Sequence, residues 1–273
     1  MGEAQRRWAE ALAGWAIPED ILARAPESPW GFPPALFQAR HDVSAADTPS
    51  HRRALEALPQ GGDVIDVGVG GGAGSLPLAR RAARLTGVDE SERMLQAFAD
   101  AADRAGVAHR EVQGRWPEVA PAAGTADVVV CHHVLYNSQQ IVPFLEALTE
   151  AASRTVVVEV TATHPGSTLK RLWRHFHDLE RPSGPTYEDA LAVLDEMGLR
   201  YKVEPWERAP RRRDAPRAEL VAFVRRRLCL PAERDPEIDE FLGEDLVWSP
   251  GGLVTISWAG EQPVAGTGAR APR

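Results

Sequence analysis

Short stretches apolar at nearly every position punctuate the chain at 64–67, 85–88, 126–131 and 154–160. Runs of that length and content suit parallel strands covered on both faces. Further strands are expected at 107–113, 199–206 and 252–258. Between them the apolar spacing changes to helical. The segment 91–105 is capped by Ser91 and closed by Gly106, and 141–152 and 187–197 carry the same period. Leu169, Leu172, Trp173, Phe176 and Leu179 mark another helix, followed by a Pro-Ser-Gly-Pro loop. At the start of the chain Trp8, Ala9, Leu12, Trp15 and Ala16 lie on one helical stripe that Pro18 ends, and 18–22 can begin a second helix. Thr48 followed by Pro49 is an N-cap with proline at the first helical position, opening a helix through Leu58. Strand and helix in alternation predict a doubly wound α/β sheet.

The first strand runs into Gly68-Val69-Gly70-Gly71-Gly72-Ala73-Gly74, five glycines in seven residues, with a helix expected at 75–84. Glycines there let the turn tighten and the backbone approach a ligand. The next strand ends in Asp89, 17 residues beyond Gly72, where a carboxylate can accept hydrogen bonds from both ribose hydroxyls. Together they predict a site for a nucleoside-bearing cofactor. Gly68, Gly70 and Ala73 meet a dinucleotide fingerprint only in its weaker form, so a nicotinamide or flavin is the competing reading.

Asp66, Gly68, Gly70 and Gly72 spell D-x-G-x-G-x-G, and Gly87-Val88-Asp89-Glu90-Ser91-Glu92-Arg93-Met94-Leu95 spells G-V-D-x-S-x-x-M-L. Both, in this order and spacing, resemble the first two motifs of the class I S-adenosylmethionine-dependent methyltransferases, in their small-molecule, type 11/25-like branch. The resemblance spans roughly 60–165. It implies a seven-stranded, mostly parallel three-layer sheet with an antiparallel last strand, N-terminal lid helices and a helical insertion before that strand. It also implies that Asp66 and the Gly68–Gly72 turn hold the methionine end of the cofactor, Asp89 the ribose, with Ser91 and Met94 nearby. Gly114-Arg115-Trp116-Pro117 departs from the family's G-D-A, whose acid bonds the adenine amino group. Backbone donors of Arg115 or Trp116, and the Trp116 ring, are left to read the adenine. Cys131 falls where relatives pass the sulfonium with strand-end backbone, its thiol serving as packing.

Organised this way, the chain divides into a helical lid at 1–59, a Rossmann-like core at 60–207, an insertion at 208–250, the last strand at 251–265 and a frayed tail at 266–273. Aromatics and prolines between Pro26 and Pro34, with Trp30 and Phe32, either staple the helices to the sheet or belong to the lid. The insertion carries two helices, at 217–228 and 235–242. Its arginine runs (211–213, 225–227) and its acidic run (233–245) are read as pairing or as solvated faces.

The 273 residues are 44% hydrophobic with net charge −8, which disfavours a general polyanion binder. Arginine outnumbers lysine 29 to 2, so arginine runs weigh less here than elsewhere. Cys131 and Cys229 make no disulfide framework, and no apolar run reaches 18 residues. A cytoplasmic enzyme acting on a small organic molecule, with no membrane or nucleic-acid partner, is expected; a homodimer is left open.

Methyl transfer to a hydroxyl or ammonium also needs a proton acceptor, and histidine titrates in the right range. His132 and His133 leave the fourth strand and His164 the fifth, all at the carboxyl edge where ligands of open α/β sheets bind. His133 is the favoured base, with Tyr136 a second proton handler. Adjacent His132 and His133 aim poorly at one ion, as do His175 and His177 two apart on a helix, so no metal is expected. Two rival functions remain: an RNA or protein methyltransferase using the arginine-rich insertion, and a non-catalytic S-adenosylmethionine-binding module.

Overall fold

The computed structural model describes residues 2–30, 48–207, 216–243 and 252–260. Gly31, Phe32, Arg211–Arg213, the acidic residues after Gly243 and the tail at 266–273 lie outside the described residues.

Seven strands form one sheet: β1 (Gly62–Val67), β2 (Ala82–Asp89), β3 (Ala108–Gln113), β4 (Ala126–His132), β5 (Ala152–Thr161), β6 (Tyr201–Trp206) and β7 (Leu253–Ala259). Their order is β3-β2-β1-β4-β5-β7-β6. The first five run parallel, and β7 lies antiparallel between β5 and β6. The order reverses between β1 and β4, and a crevice at such a point, past the strands' carboxyl ends, is where this architecture binds ligands.

Ten helices are described: α1 (Glu3–Ala13), α2 (Glu19–Ala23), α3 (Pro49–Ala57), α4 (Glu92–Ala105), α5 (Ala120–Ala123), α6 (Ile141–Ala151), α7 (Lys170–His177), α8 (Tyr187–Glu196), α9 (Arg217–Arg227) and α10 (Asp235–Leu242). Side chains of β1, β2, β4 and β5 alternate between two apolar clusters, as the period of a strand demands. Val64, Leu85, Val128, Val130 and Val157 face α3 and α4, with Ala54, Leu58, Leu95 and Phe98. Ile65, Val67, Val129, Cys131, Val156 and Val158 face α1, α6 and α8. A third cluster joins α2 and α7 to the insertion helices α9 and α10 through Ile21, Leu172, Trp173, Phe223, Val224 and Ile238. Helices α1 and α2 therefore belong to different cores, Trp8 anchoring the first and Ile21 the second.

One expected element is absent. Where a helix was expected at 75–84, the chain makes a single 3-10 turn, Leu76–Leu78, and β2 starts at Ala82. Only residues 68–81 join two parallel strands. Half of that crossover is the glycine turn, and Pro77 removes an amide donor. Elsewhere the sequence signals hold. Thr48 caps α3 by accepting the His51 amide, and Ser91 caps α4 by accepting that of Met94. Gly106 closes α4 in the left-handed conformation. In the insertion Arg217 pairs with Asp239, and Arg225 pairs with both Asp235 and Glu27. Among the described residues no helix is long and apolar enough to cross a membrane.

Candidate active site

The carboxyl ends of β1, β2 and β4 carry the glycine turn, two acids and two histidines. Gly68 has φ +71° and lies so close to β4's exit that a Cβ there would come within 2.2 Å of Val134 Cγ2. Gly70, at φ +50°, would project its Cβ into open space. Its amide instead donates to Asp89 Oδ2 at 3.0 Å, while the Ser91 amide donates to Oδ1 at 2.9 Å. The turn and the start of α4 thus clamp the Asp89 carboxylate between two backbone donors. Each of its oxygens keeps a second lone pair for a ligand hydroxyl. Ser91 acts here through its backbone, its hydroxyl being the helix cap. Gly72, at φ +86°, brings the backbone against Leu76 and Phe98, and Met94 lies half-buried in the first turn of α4.

Asp66 lies buried at the end of β1 and accepts a 2.7 Å hydrogen bond from the Ser75 hydroxyl. Burial pushes its pKa up to about 7; the Ser75 bond opposes the shift and the Asp89 charge adds to it. A carboxyl so poised gains by meeting a cation. Its oxygens and His132 Nδ1 both come within 3.3 Å of the point where a Cβ on Gly74 would stand. His51, from α3, leans over the same group: its ring centroid is 5.6 Å from that of His132, and its Nε2 meets the Ala73 carbonyl at 3.1 Å.

On the far side of His132 the chain turns at His133, a non-glycine residue at φ 61°. The His133 amide donates to the Glu159 carbonyl at 2.8 Å, and its Nε2 lies 3.1 Å from Glu159 Oε1. Glu159 pairs in register with His132 across β4 and β5 and is 1% exposed. Burial by itself raises a carboxyl. Here the charge of His132, the hydrogen bond and charge of His133, and the Ser50 hydroxyl outweigh it and hold Glu159 well below the usual carboxylate range.

Residues 64–156 match the family model described as a methyltransferase domain. That stretch is similar to the class I S-adenosylmethionine-dependent methyltransferases, as its two motifs imply. Ubiquinone biosynthesis O-methyltransferase of Azorhizobium caulinodans is 33% identical over 124 residues, 45% of this chain and 46% of that protein. The chain thus spans about half the length of that curated relative. The crystal structure of YcgJ protein from Bacillus subtilis superposes with a TM-score of 0.51 at 15% identity, covering 81% of this chain and 96% of that one, a likeness of fold.

The cofactor of this methyltransferase family is S-adenosylmethionine, and the residues present fit it. Open space at Gly70 beside a clamped Asp89 suits the ribose, and buried Asp66 suits the cationic methionine end. Other expectations need correction. Trp116 cannot stack on an adenine: its ring is buried in the main core and its Nε1 donates to the Phe144 carbonyl at 3.2 Å. Arg115 reaches outward to Glu90. Tyr136 is no proton handler. It is buried, stacked on Trp8 and committed to the Thr161 carbonyl at 2.8 Å, and burial raises its pKa further. Cys131 needs no such correction: it is buried at the end of β4, its thiol pushed up by burial and then by the Asp66 charge. His164 stacks on Trp15 and accepts the Gly166 amide at Nδ1; burial, with the Arg181 charge adding, lowers it to about 4.

Sequence reasoning passed over Glu159, Ser50 and His51. Glu159 did leave a signal, being the one charged residue in the apolar run 155–161. Ser50 and His51 left none, because their place over the sheet depends on how α3 docks.

Proposed function

We propose that the protein transfers the methyl group of S-adenosylmethionine to a small organic acceptor, at oxygen. The observation that carries this reading is the clamped Asp89 carboxylate beside the open face of Gly70, a cradle that leads along the sheet edge to His132 and His133. S-adenosylmethionine supplies an electrophilic methyl carbon on a positively charged sulfur. The protein's own work is then to bind, orient and exclude water, since in-line displacement responds chiefly to positioning. Asp89 holds the ribose, Asp66 faces the methionine end, and the Gly68–Gly72 turn admits the backbone to both. Oxygen as the accepting atom is supported by the O-methyltransferase relative. A small acceptor fits the insertion, in which Arg217, Arg225 and Arg234 are spent on acids of the same molecule.

Calorimetry with S-adenosylmethionine, S-adenosylhomocysteine and NAD, on the wild type and on Asp89→Ala, tests the reading. Binding of the two sulfur nucleosides but not NAD, weakened at least tenfold by the substitution, is expected. Binding of NAD alone refutes it. Tight nucleoside binding with no transfer of labelled methyl to any of a panel of phenols, amines and acids leaves a cofactor-binding module instead.

A further inference from the structure

We propose that His133 and Glu159 form a proton-accepting pair, with His133 Nδ1 the basic atom and Glu159 its positioning residue, and that the methyl acceptor is a phenolic hydroxyl. This rests on the methyltransferase reading above.

A carboxylate in the middle of an apolar strand end is costly to bury, and this chain spends several groups on keeping it ionised. His133 reaches it from the exit of β4 and His132 from the neighbouring register position. Ser50 reaches it from α3 and is itself joined to Thr255 of β7 at 2.7 Å. Asp66 and His51 stand beyond His132 in the same cluster. His133 is bound to residue 159 twice, by its amide and by its ring. It holds a left-handed backbone that costs a non-glycine residue roughly 1–2 kcal/mol. Strain of this kind persists where the surroundings over-determine it, and it gathers at working sites. A purely structural ion pair needs none of this, nor a ring left 40% exposed.

The geometry favours one nitrogen. With Nε2 3.1 Å from Glu159 Oε1, a neutral imidazole is stabilised with its proton on Nε2 facing the carboxylate and its lone pair on Nδ1, for which the described residues show no partner. The next residue, Val134, packs against Gly68, so the pair stands one residue from the glycine turn. An imidazole can take a proton from a phenol, whose acidity lies within a few units of its own; an aliphatic alcohol is far weaker. The phenol's proton passes to Nδ1. Its oxygen lone pair forms the new O–C bond as the S–C bond breaks with its electrons left on sulfur. The proton then leaves Nδ1 for water at the exposed ring edge, and Glu159 stays ionised throughout.

The test uses 4-nitrocatechol, whose phenolate is coloured, added to the full chain saturated with S-adenosylhomocysteine below the probe's own ionisation. The wild type is expected to bind it as the coloured phenolate. His133→Gln and Glu159→Gln should each lose roughly tenfold or more of that binding, with S-adenosylhomocysteine affinity unchanged. In parallel, nitrogen NMR of the His133 ring should show one tautomer, Nε2–H, in the wild type and a mixture in Glu159→Gln. His133→Gln changes a half-exposed side chain and keeps the test valid should the buried variant fail to fold. No binding of S-adenosylhomocysteine to the wild type brings down the methyltransferase reading itself. Cofactor binding with the probe absent or bound as neutral phenol, or variants with wild-type spectra, overturns the pair alone.

Discussion

Alanine at Gly68 should be far more damaging to the fold than alanine at Gly70, although both glycines have positive φ. Each substitution forces an L-residue into a left-handed backbone, at roughly 1 kcal/mol. At Gly70 that is the whole cost, because nothing lies within 4 Å of the added Cβ. At Gly68 the new methyl meets Val134 Cγ2 at 2.2 Å. Turning the valine relieves the 2.2 Å contact only in part, since Val134 Cβ, which rotation leaves in place, stays 3.3 Å away, tighter than an ordinary contact. The turn or the exit of β4 has to shift, an overpacking cost of roughly 1–3 kcal/mol. The totals are about 3 kcal/mol for Gly68→Ala and about 1 kcal/mol for Gly70→Ala. In a chain of this size these correspond to melting-temperature losses of roughly 6–12 °C and 2–4 °C. Differential scanning calorimetry of the ligand-free proteins reads both. Cofactor binding should discriminate differently: the Gly70 methyl projects into the cradle and should weaken S-adenosylhomocysteine at least tenfold despite its mild effect on melting. Val134→Ala combined with Gly68→Ala should recover roughly 1–2 kcal/mol relative to the sum of the single changes. Equal melting losses for the two glycines, or no coupling to Val134, would refute the close-approach argument.

Three further outcomes follow from the titrating and buried polar groups. Folded Asp66 keeps its proton up to about pH 7, against 3.8 for the unfolded group, so the folded chain binds more protons in between and stability falls as pH rises through that window. Asp66→Asn should therefore stabilise the ligand-free protein by roughly 2–4 kcal/mol at pH 8 and by little at pH 4, measured by urea unfolding. His164 runs the other way: its pKa drops from 6.5 to about 4 on folding, so stability is lost as pH falls through that range, and His164→Gln should flatten this limb of the stability profile. Tyr136→Phe should cost about 1 kcal/mol for the lost bond to Thr161 and leave S-adenosylhomocysteine affinity and turnover unchanged; a hundredfold fall in turnover would return the tyrosine to the chemistry.

The cofactor half of the site was legible in the sequence because it is built from backbone. A turn that must take positive φ and let main chain approach a ligand needs glycine, so Gly68, Gly70 and Gly72 announce themselves. Asp89 follows at the spacing that one strand imposes. The caps of α3 and α4 are legible for the same reason, each being a contact within four residues of chain. Residues 75–84 misled because their composition suits a helix while the short crossover between β1 and β2 leaves no room for one. Trp116 and Tyr136 misled because a polar-tipped aromatic reads alike in a core and in a pocket.

Sequence alone determined the class of sheet, the glycine turn, the acid at the end of β2 and the sheet edge where ligands of such folds bind, since all of these are set by local periodicity and backbone demands. Tertiary structure alone decided which side chains meet at that edge. Glu159 lies 26 residues beyond His133 and Ser50 more than 80 before it, and only parallel pairing of β4 with β5 and the docking of α3 bring them together. In the proposed pair that distant carboxylate selects which His133 nitrogen is left free, and no spacing in the chain encodes it.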